Sequence, residues 1–383
     1  MRNSEMQDKL NYLKTFDEND IQGKIKYLID QNFHLLTLDP DITPQKLFYF
    51  ISNLSSICHN TALCLAMHLY TVWGIRLFTS QNEFVTDCLD QVKEQKKLFA
   101  SLNEPSLHFI HSKNFKEKDY SITATEEEDG YLINGIKRFV SMEPLVNYLP
   151  VYCRLKNYKG NDYGIITLII PKETKGIKVN QDWDSISMGP SESNSITFED
   201  VFVPKENVIL NSNAFVRETD VLGLLFRLAI SSVYVGIGER ALQYLYQKIR
   251  SQRVPHHDKP LAFFPGAQFN VAEMLILNET ANSQILELCR SINEYLNSSR
   301  SYTTMKELKK KSLITKEYTT ISTIKLVEFA LKTVGVGGLS SRSPLAKLYQ
   351  DVLAGPFHPP QKDVLYEIIA KDFLGIVPYK SRW

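Results

Sequence analysis

Apolar positions along the chain change their period twice. From Asp17 to about Phe99 they recur at helical spacing: Ile21, Ile25, Leu28 and Ile29 share one face, and Leu63, Leu65, Met67, Leu69 and Val72 belong to a more completely apolar helix. Between about Ala100 and Leu210 the period becomes two, as in Tyr120-Ser121-Ile122-Thr123-Ala124. An acidic turn ending in Asp129-Gly130 then leads into Tyr131-Leu132-Ile133, so these two runs are expected to form a hairpin. The run 165–170, ended by Pro171, is β-branched and apolar on both faces and reads as a central strand; 195–201 alternates and stops at Pro204. After Asp220 the helical period returns over 221–251, 268–295 and 305–334, with a final helix from about Lys362 to Leu374.

Strands segregated between two helical blocks make the fold class α+β, and the expected domains are 1–99 (helical), 100–211 (β) and 212–383 (a four-helix bundle). The glycine cluster Gly335-Val336-Gly337-Gly338 follows a helix rather than a strand, so it reads first as a helix C-terminus and not as a dinucleotide fingerprint. With 383 residues, 43% of them hydrophobic, a large core can form. Lys plus Arg is 44 and Asp plus Glu is 43, a net +1, which gives no pull toward nucleic acid or an anionic membrane, and Lys309 to Lys311 read as a solvated face. Five cysteines, odd in number and without a C-x-x-C, disfavour a disulfide framework and a thiolate metal site, and suit a reducing cytoplasmic setting. The start of the chain is polar, and the apolar stretch 61–75 falls short of the ~20 residues a membrane span needs, so the chain reads as soluble.

Three stretches, in order along the chain, resemble the acyl-CoA dehydrogenase superfamily of flavoproteins. The first is Gly130-Tyr131-Leu132-Ile133-Asn134-Gly135-Ile136-Lys137-Arg138-Phe139-Val140-Ser141. The second runs from Lys175-Gly176-Ile177 through Trp183, Met188-Gly189 and Ser191 to Phe198-Glu199-Asp200-Val201 and Val203-Pro204. The third is Leu348-Tyr349-Gln350-Asp351, after the glycine cluster, where the family carries Leu-Tyr-Arg-Asp. The resemblance covers nearly the whole chain and implies an acyl-CoA dehydrogenase-like fold: an N-terminal helical domain, a β-barrel-like middle and a C-terminal helical bundle. It also implies FAD held between subunits of a homodimer or homotetramer. Under it, Leu102 and Asn103 approach the flavin ring through their backbone, and Phe139 and Ser141 stand for the Trp and Thr that pack on it. An aromatic face and a hydroxyl suit a flat heterocycle. Arg253 matches the arginine that reaches the pyrophosphate of the neighbouring subunit's FAD, as a forked cation should, and Gly335 and Val336 match the pair that lets the backbone approach it. Without the resemblance, Arg253 is a surface cation and the glycines are caps.

The chain also departs from the family pattern. Ser106-Leu107-His108-Phe109 after Pro105 replaces the family's Gly-Ser, and Pro255-His256-His257 replaces the Phe-Gly after the arginine. In the family a glutamate eight residues beyond the Asp of Leu-Tyr-Arg-Asp removes the substrate α-proton while flavin N5 takes hydride. Eight residues beyond Asp351 stands Pro359, and Gly375 sixteen residues further keeps the register. Other relatives keep the glutamate directly before an arginine on the first long C-terminal helix; here Phe226 precedes Arg227. Proline also lacks the N–H that would hold the thioester oxygen. Phe226, Arg227 and Phe357 are expected to line the substrate pocket.

The vacant base position lies in Gly355-Pro356-Phe357-His358-Pro359-Pro360. His358 titrates near neutrality and can serve as base, acid or hydrogen-bond donor; alternatively the prolines shape a loop in which it caps or packs. The segment is similar to the flavin-dependent monooxygenase branch of the superfamily, which has a histidine here and a Phe-x-Ser where Phe139-Val140-Ser141 stands. In that branch histidine and serine stabilise a flavin C4a-hydroperoxide, and FMN can serve in place of FAD. Glu367 is a weaker base candidate. His108, His111, His256 and His257 lack acidic companions at ligand spacing and read as loop histidines, so no metal is expected.

Three functions follow. The first is an FAD-dependent oxidoreductase acting on an acyl-CoA or acyl-like substrate, with an unusual base or none, and passing electrons to an electron-transfer flavoprotein. The second is a monooxygenase fed by a flavin reductase and using His358 and Ser141. The third is a non-catalytic scaffold that binds an acyl ligand or a partner protein.

Overall fold

The computed structural model describes residues 3–78, 82–104, 107, 120–212 and 215–376. His108 and His111, and Pro105, Ser106 and Phe109 of the stretch expected to depart from the family's Gly-Ser, lie outside the described residues. The chain opens with helices α1 (Asn3–Tyr12), α2 (Ile21–Asp30), α3 (Pro44–Phe78) and α4 (Glu83–Gln95). The Asp20 side chain accepts the Gly23 N–H and starts α2, whose Ile21, Ile25, Leu28 and Ile29 are buried as their spacing predicts. Helix α3 is interrupted at Cys58, where φ is −149° and ψ is 88°, and His59 begins the stretch that follows. The apolar run 61–75 in its second half is buried throughout.

One seven-stranded sheet follows: β1 (Ile122–Glu126), β2 (Gly130–Val140), β3 (Tyr148–Leu155), β4 (Ile165–Pro171), β5 (Ile177–Asn180), β6 (Asn194–Pro204) and β7 (Val208–Leu210). Its order is β5-β6-β2-β1-β3-β4-β7, and among the described pairings β1 and β3 alone run parallel. The expected hairpin is β1–β2, with Ile122 opposite Gly135 and Glu126 opposite Tyr131. Strand β4 is the expected central strand, buried from Ile165 to Ile170 and flanked by β3 and β7.

Helices α5 (Phe215–Ser251), α6 (Pro265–Leu296), α7 (Tyr302–Val334), α8 (Pro344–Val352) and α9 (Lys362–Phe373) complete the chain. Helix α5 is the axis of the molecule, packing on α3, α6, α7 and α8. Its stretch Thr219–Ser251 has the length and apolarity of a membrane span, but 94% of its most apolar window is buried inside the protein. Nine-residue α8 escapes the periodicity reading because it is too short to repeat an apolar face; Pro344 in its first turn marks its start.

Helix α7 departs from the apolar expectation. Its buried face is largely polar, with Ser312, Thr315, Lys316, Thr319, Thr320 and Thr323 all enclosed. Thr320 donates to the Lys316 carbonyl, and Thr323 to the carbonyls of Thr319 and Tyr234, so several of these hydroxyls are satisfied by backbone. The lysine run is not a bare solvated face: Lys309 pairs with Asp220, Lys310 with Glu307 and Asp372, and Lys311 with Glu287, tying α7 to its neighbours. Half exposed, each such pair adds little stability.

Candidate functional site

The site begins where β2 ends. The β2–β6 register slips between Lys137 and Val140, and the slip is absorbed at Phe139, whose φ of 61° is left-handed. A residue with a Cβ is held there only at a cost of ~1 kcal/mol or more, so the surrounding structure must enforce it. The Ser141 N–H returns to the Phe139 carbonyl at 3.1 Å. The bulge turns the Phe139 ring outward, 55% exposed, edge-to-face with Trp183 at 6.3 Å between centroids. Trp183 is itself braced by its indole N–H on the Gly189 carbonyl at 2.9 Å. Ser141, two residues on, is buried and accepts from the Ser193 hydroxyl at 2.9 Å, which leaves Ser193 to accept from the Ser191 hydroxyl at 2.8 Å.

Beside this ledge runs 98–104, laid between α3 and β3. Phe99 N–H donates to His68 Nδ1 at 3.0 Å and Leu102 N–H to the Thr71 hydroxyl at 3.2 Å, while Tyr70 and Ser101 hydroxyls meet at 2.6 Å. Burial pushes the His68 imidazole down to about 3, consistent with a neutral ring that accepts one N–H and donates to the His34 carbonyl. Leu102 is buried and Asn103 half-buried. Under β2, burial pushes the enclosed Lys137 ammonium down to about 8, against the opposing pull of the Glu104 carboxylate.

The loop 185–193 joins this half of the site to the C-terminal turn. Asp351 accepts the Met188 N–H at 2.6 Å, the Ser187 hydroxyl donates to the Asp351 carbonyl at 2.9 Å, and the Ala354 N–H donates to the Ser187 hydroxyl at 3.0 Å. The loop that positions Ser193 against Ser141 thereby also holds the turn Gly355–Phe357 that presents His358. A Cβ at Gly355 would lie 2.8 Å from Thr320 Cβ and 2.9 Å from Tyr234 Cε1, so glycine lets this turn press onto α5 and α7.

His358 is half-buried. The Tyr234 hydroxyl lies 3.1 Å from its Nε2, and the two rings meet edge-to-face at 5.7 Å. Burial and then the charge of Lys316 push the imidazole down to about 3, so it is neutral at physiological pH. Lys316 is wholly enclosed, its ammonium 3.3 Å from the Pro360 carbonyl, and burial pushes it down to about 8.

The other expected residues are dispersed. Phe226 is buried and packs edge-to-face on Tyr70 at 5.4 Å; Arg227 turns away into the α5–α7 interface, its Nε donating to Ser312 at 2.7 Å. Burial lowers its guanidinium to about 10, which leaves it charged. Phe357 stays 72% exposed beside His358. Arg253 is exposed at the end of α5, and Gly335 and Val336 are exposed at the end of α7; no hydrogen bond or ring contact joins them to Phe139 or His358 among the described residues. Glu367 ion-pairs with Lys371 on α9. His256 and His257 are exposed, with His257 edge-to-face on Phe264.

Sequence reasoning missed Tyr234, Lys316 and Ser193. The first is hidden in the apolar period of α5. The second had a signal, since Ser312, Lys316, Thr320 and Thr323 repeat at helical spacing and mark a polar stripe that must pair with something when buried. The third lies in a serine-rich loop without local pattern.

The chain matches the family models for the acyl-CoA dehydrogenase middle domain over residues 115–201 and the acyl-CoA dehydrogenase C-terminal domain over residues 228–360. YdbM of Bacillus subtilis, named for an acyl-CoA dehydrogenase, is 22% identical over 94% of this chain and 93% of its own. Dibenzothiophene monooxygenase of Rhodococcus erythropolis is 34% identical, over 37% of this chain and 36% of its own. The solved structure of FMN-bound TdsC from Paenibacillus sp. A11-2 superimposes with a TM-score of 0.83 at 18% identity, covering 97% of this chain and 96% of that one, a likeness that establishes the fold.

Proposed function

The chain belongs to the acyl-CoA dehydrogenase superfamily, and within it we propose that this protein is a flavin-dependent monooxygenase, with Ser141 and His358 as the polar groups beside the reacting centre. One observation carries the choice. Pro359 and Phe226 occupy the two places where a proton-abstracting carboxylate would stand, while an uncharged histidine, braced by Tyr234 at 3.1 Å, sits one residue away. An acyl-CoA dehydrogenase must remove a weakly acidic α-proton and hold the enolate oxygen that results; proline can do neither. An oxygen-inserting enzyme needs no such base, only donors placed at the oxygen and a site closed to bulk water.

The residues present suit a flavin. The outward Phe139 ring against Trp183 offers an apolar aromatic platform on a backbone held in a left-handed conformation, and the buried Ser141 follows two residues on. FMN or FAD is the cofactor in this reading; bound and reduced, it supplies the activation of oxygen. Phe139 would support the ring, Leu102 and Asn103 would approach it by backbone, and Ser141 and His358 would donate hydrogen bonds. Phe226 and Tyr70 would exclude water from the substrate side. Arg253, Gly335 and Val336, exposed at the bundle end, would reach the cofactor of a neighbouring subunit in a homo-oligomer, and a flavin reductase would provide the reduced flavin.

The test mixes the flavin-loaded protein, without oxygen, with a panel of acyl-CoAs, and then supplies reduced FMN, isotopically labelled oxygen and small aromatic compounds including dibenzothiophene. The expected results are no bleaching by acyl-CoA and transfer of label into an aromatic product. Direct bleaching by an acyl-CoA would overturn the reading in favour of a dehydrogenase.

A further inference from the structure

The groups packed around His358 decide where its ring carries its proton, and so what the ring can do. Tyr234, on α5, has no exposure to solvent, and His358 Nε2 at 3.1 Å is the hydrogen-bond partner of its hydroxyl among the described residues. Burial, and then the negative charge of Asp351, push the phenol well above its ordinary value, so it remains O–H. A buried O–H needs an acceptor, and the one within reach is Nε2. If Nε2 instead donated, the phenol proton would have nowhere to go. With Nε2 accepting, the neutral ring must carry its proton on Nδ1, which has no hydrogen-bond partner among the described residues and is left as a donor.

The charged groups of the neighbouring elements leave this arrangement undisturbed. From α7 comes the Lys316 ammonium, wholly enclosed and anchored on the Pro360 carbonyl, a cation that opposes a second charge on the imidazole. From α8 comes Asp351, whose carboxylate is engaged by His59, Asn60 and the Met188 N–H. Among the described residues no carboxylate hydrogen-bonds the ring, so nothing draws it toward the imidazolium form. Thr320 on α7 supplies only a packing wall beneath Gly355.

We propose that Tyr234 and Lys316 are positioning residues that hold His358 as the neutral Nδ1–H tautomer, so that it serves the reaction as a fixed hydrogen-bond donor and not as a titrating acid or base. What that donor acts on rests on the monooxygenase reading; the tautomer itself is a property of the folded chain. The proposal separates His358 from an ordinary acid–base histidine: its contribution to turnover should not change as pH crosses the usual imidazole range of about 6 to 7.

The experiment is nitrogen NMR of selectively histidine-labelled protein, with the His358 signals assigned by their loss in His358→Gln. The wild-type protein should show the Nδ1–H tautomer, unchanged between about pH 5 and 8. Tyr234→Phe should move the ring toward the Nε2–H form and lower kcat at least about fivefold with little change in flavin affinity, since only the hydroxyl is removed. Lys316→Met should move the protonation of the ring upward in pH from its wild-type value, with burial, the larger cause, still holding the ring neutral above about pH 5. An Nε2–H or imidazolium ring in wild type, or a tautomer unchanged in Tyr234→Phe, overturns the proposal. The wild-type spectrum decides even if a variant fails to fold. The expected tautomer, found in a protein whose flavin is bleached by acyl-CoA, would support the proposal and sink the monooxygenase reading alone.

Discussion

His59 and Asp351, 292 positions apart in the chain, meet with Nε2 2.5 Å from Oδ2 in a buried seam. The contact forms beside the interruption of α3 at Cys58, and it joins three parts of the molecule. His59 belongs to α3, Asp351 to α8, and the Met188 N–H that shares the carboxylate belongs to the loop beside Ser141. Arg240 on α5 reaches the Ile57 carbonyl at 2.9 Å and closes the seam.

Asp351→Asn removes the buried carboxylate that His59, Asn60 and the Met188 N–H share, so it should lower unfolding free energy by about 2 kcal/mol and loosen the loop that carries Ser193. Urea denaturation followed by flavin affinity measures both. Wild-type stability in the variant would mean that the seam is held by packing alone.

The same carboxylate sets an acid dependence. Burial works to raise the Asp351 carboxyl, but the hydrogen bond and charge of His59, with the Met188 N–H and Asn60, outweigh it and leave the group below its ordinary range. A depressed folded value stabilises the protein above the unfolded value of about 3.9, and that contribution is lost as pH falls through the folded value. Stability should therefore drop more steeply below about pH 4 in wild type than in Asp351→Asn; parallel curves would remove Asp351 from the acid transition.

His358→Ala and Ser141→Ala should each lower turnover at least about tenfold while leaving flavin bound, because each removes a donor near the reacting oxygen rather than the platform that holds the ring. Stopped-flow turnover with a flavin-binding titration separates the two effects. Wild-type rates in His358→Ala would remove it from the chemistry.

Phe139→Gly should move stability and binding in opposite directions. Glycine relieves the left-handed backbone at φ 61°, and the ring it removes is 55% exposed, so unfolding free energy should not fall and can rise by up to about 1 kcal/mol. Flavin affinity should weaken about tenfold for loss of the aromatic platform. Lost stability with unchanged flavin affinity would show that the ring packs on protein, not on a cofactor.

Gly355→Ala would drive a methyl group against Thr320 Cβ at 2.8 Å and Tyr234 Cε1 at 2.9 Å, neither of them the free end of a flexible chain. The turn should lift, with about 2 kcal/mol of lost stability and a displaced His358. Thermal denaturation with a kcat measurement tests it; an unperturbed variant would mean that the turn is free to shift.

The order of helical, β and helical blocks was legible in the sequence because periodicity is local. The alternation at Ile122–Glu126, the doubly apolar run of β4 and the long repeats of α5, α6 and α7 each declare their element within a few turns or pleats. Pro359, and His358 beside it, could be singled out for the same reason, by a count along one segment. Tertiary structure alone decided what those residues face. Tyr234 is 124 positions from His358 and reads as one more apolar member of α5; Lys316 reads as one lysine among several until packing encloses it. The proton position on His358, the Ser193 contact to Ser141 and the His59–Asp351 seam depend on which distant atoms the packed core brings within 3 Å or so, and no local propensity encodes that distance.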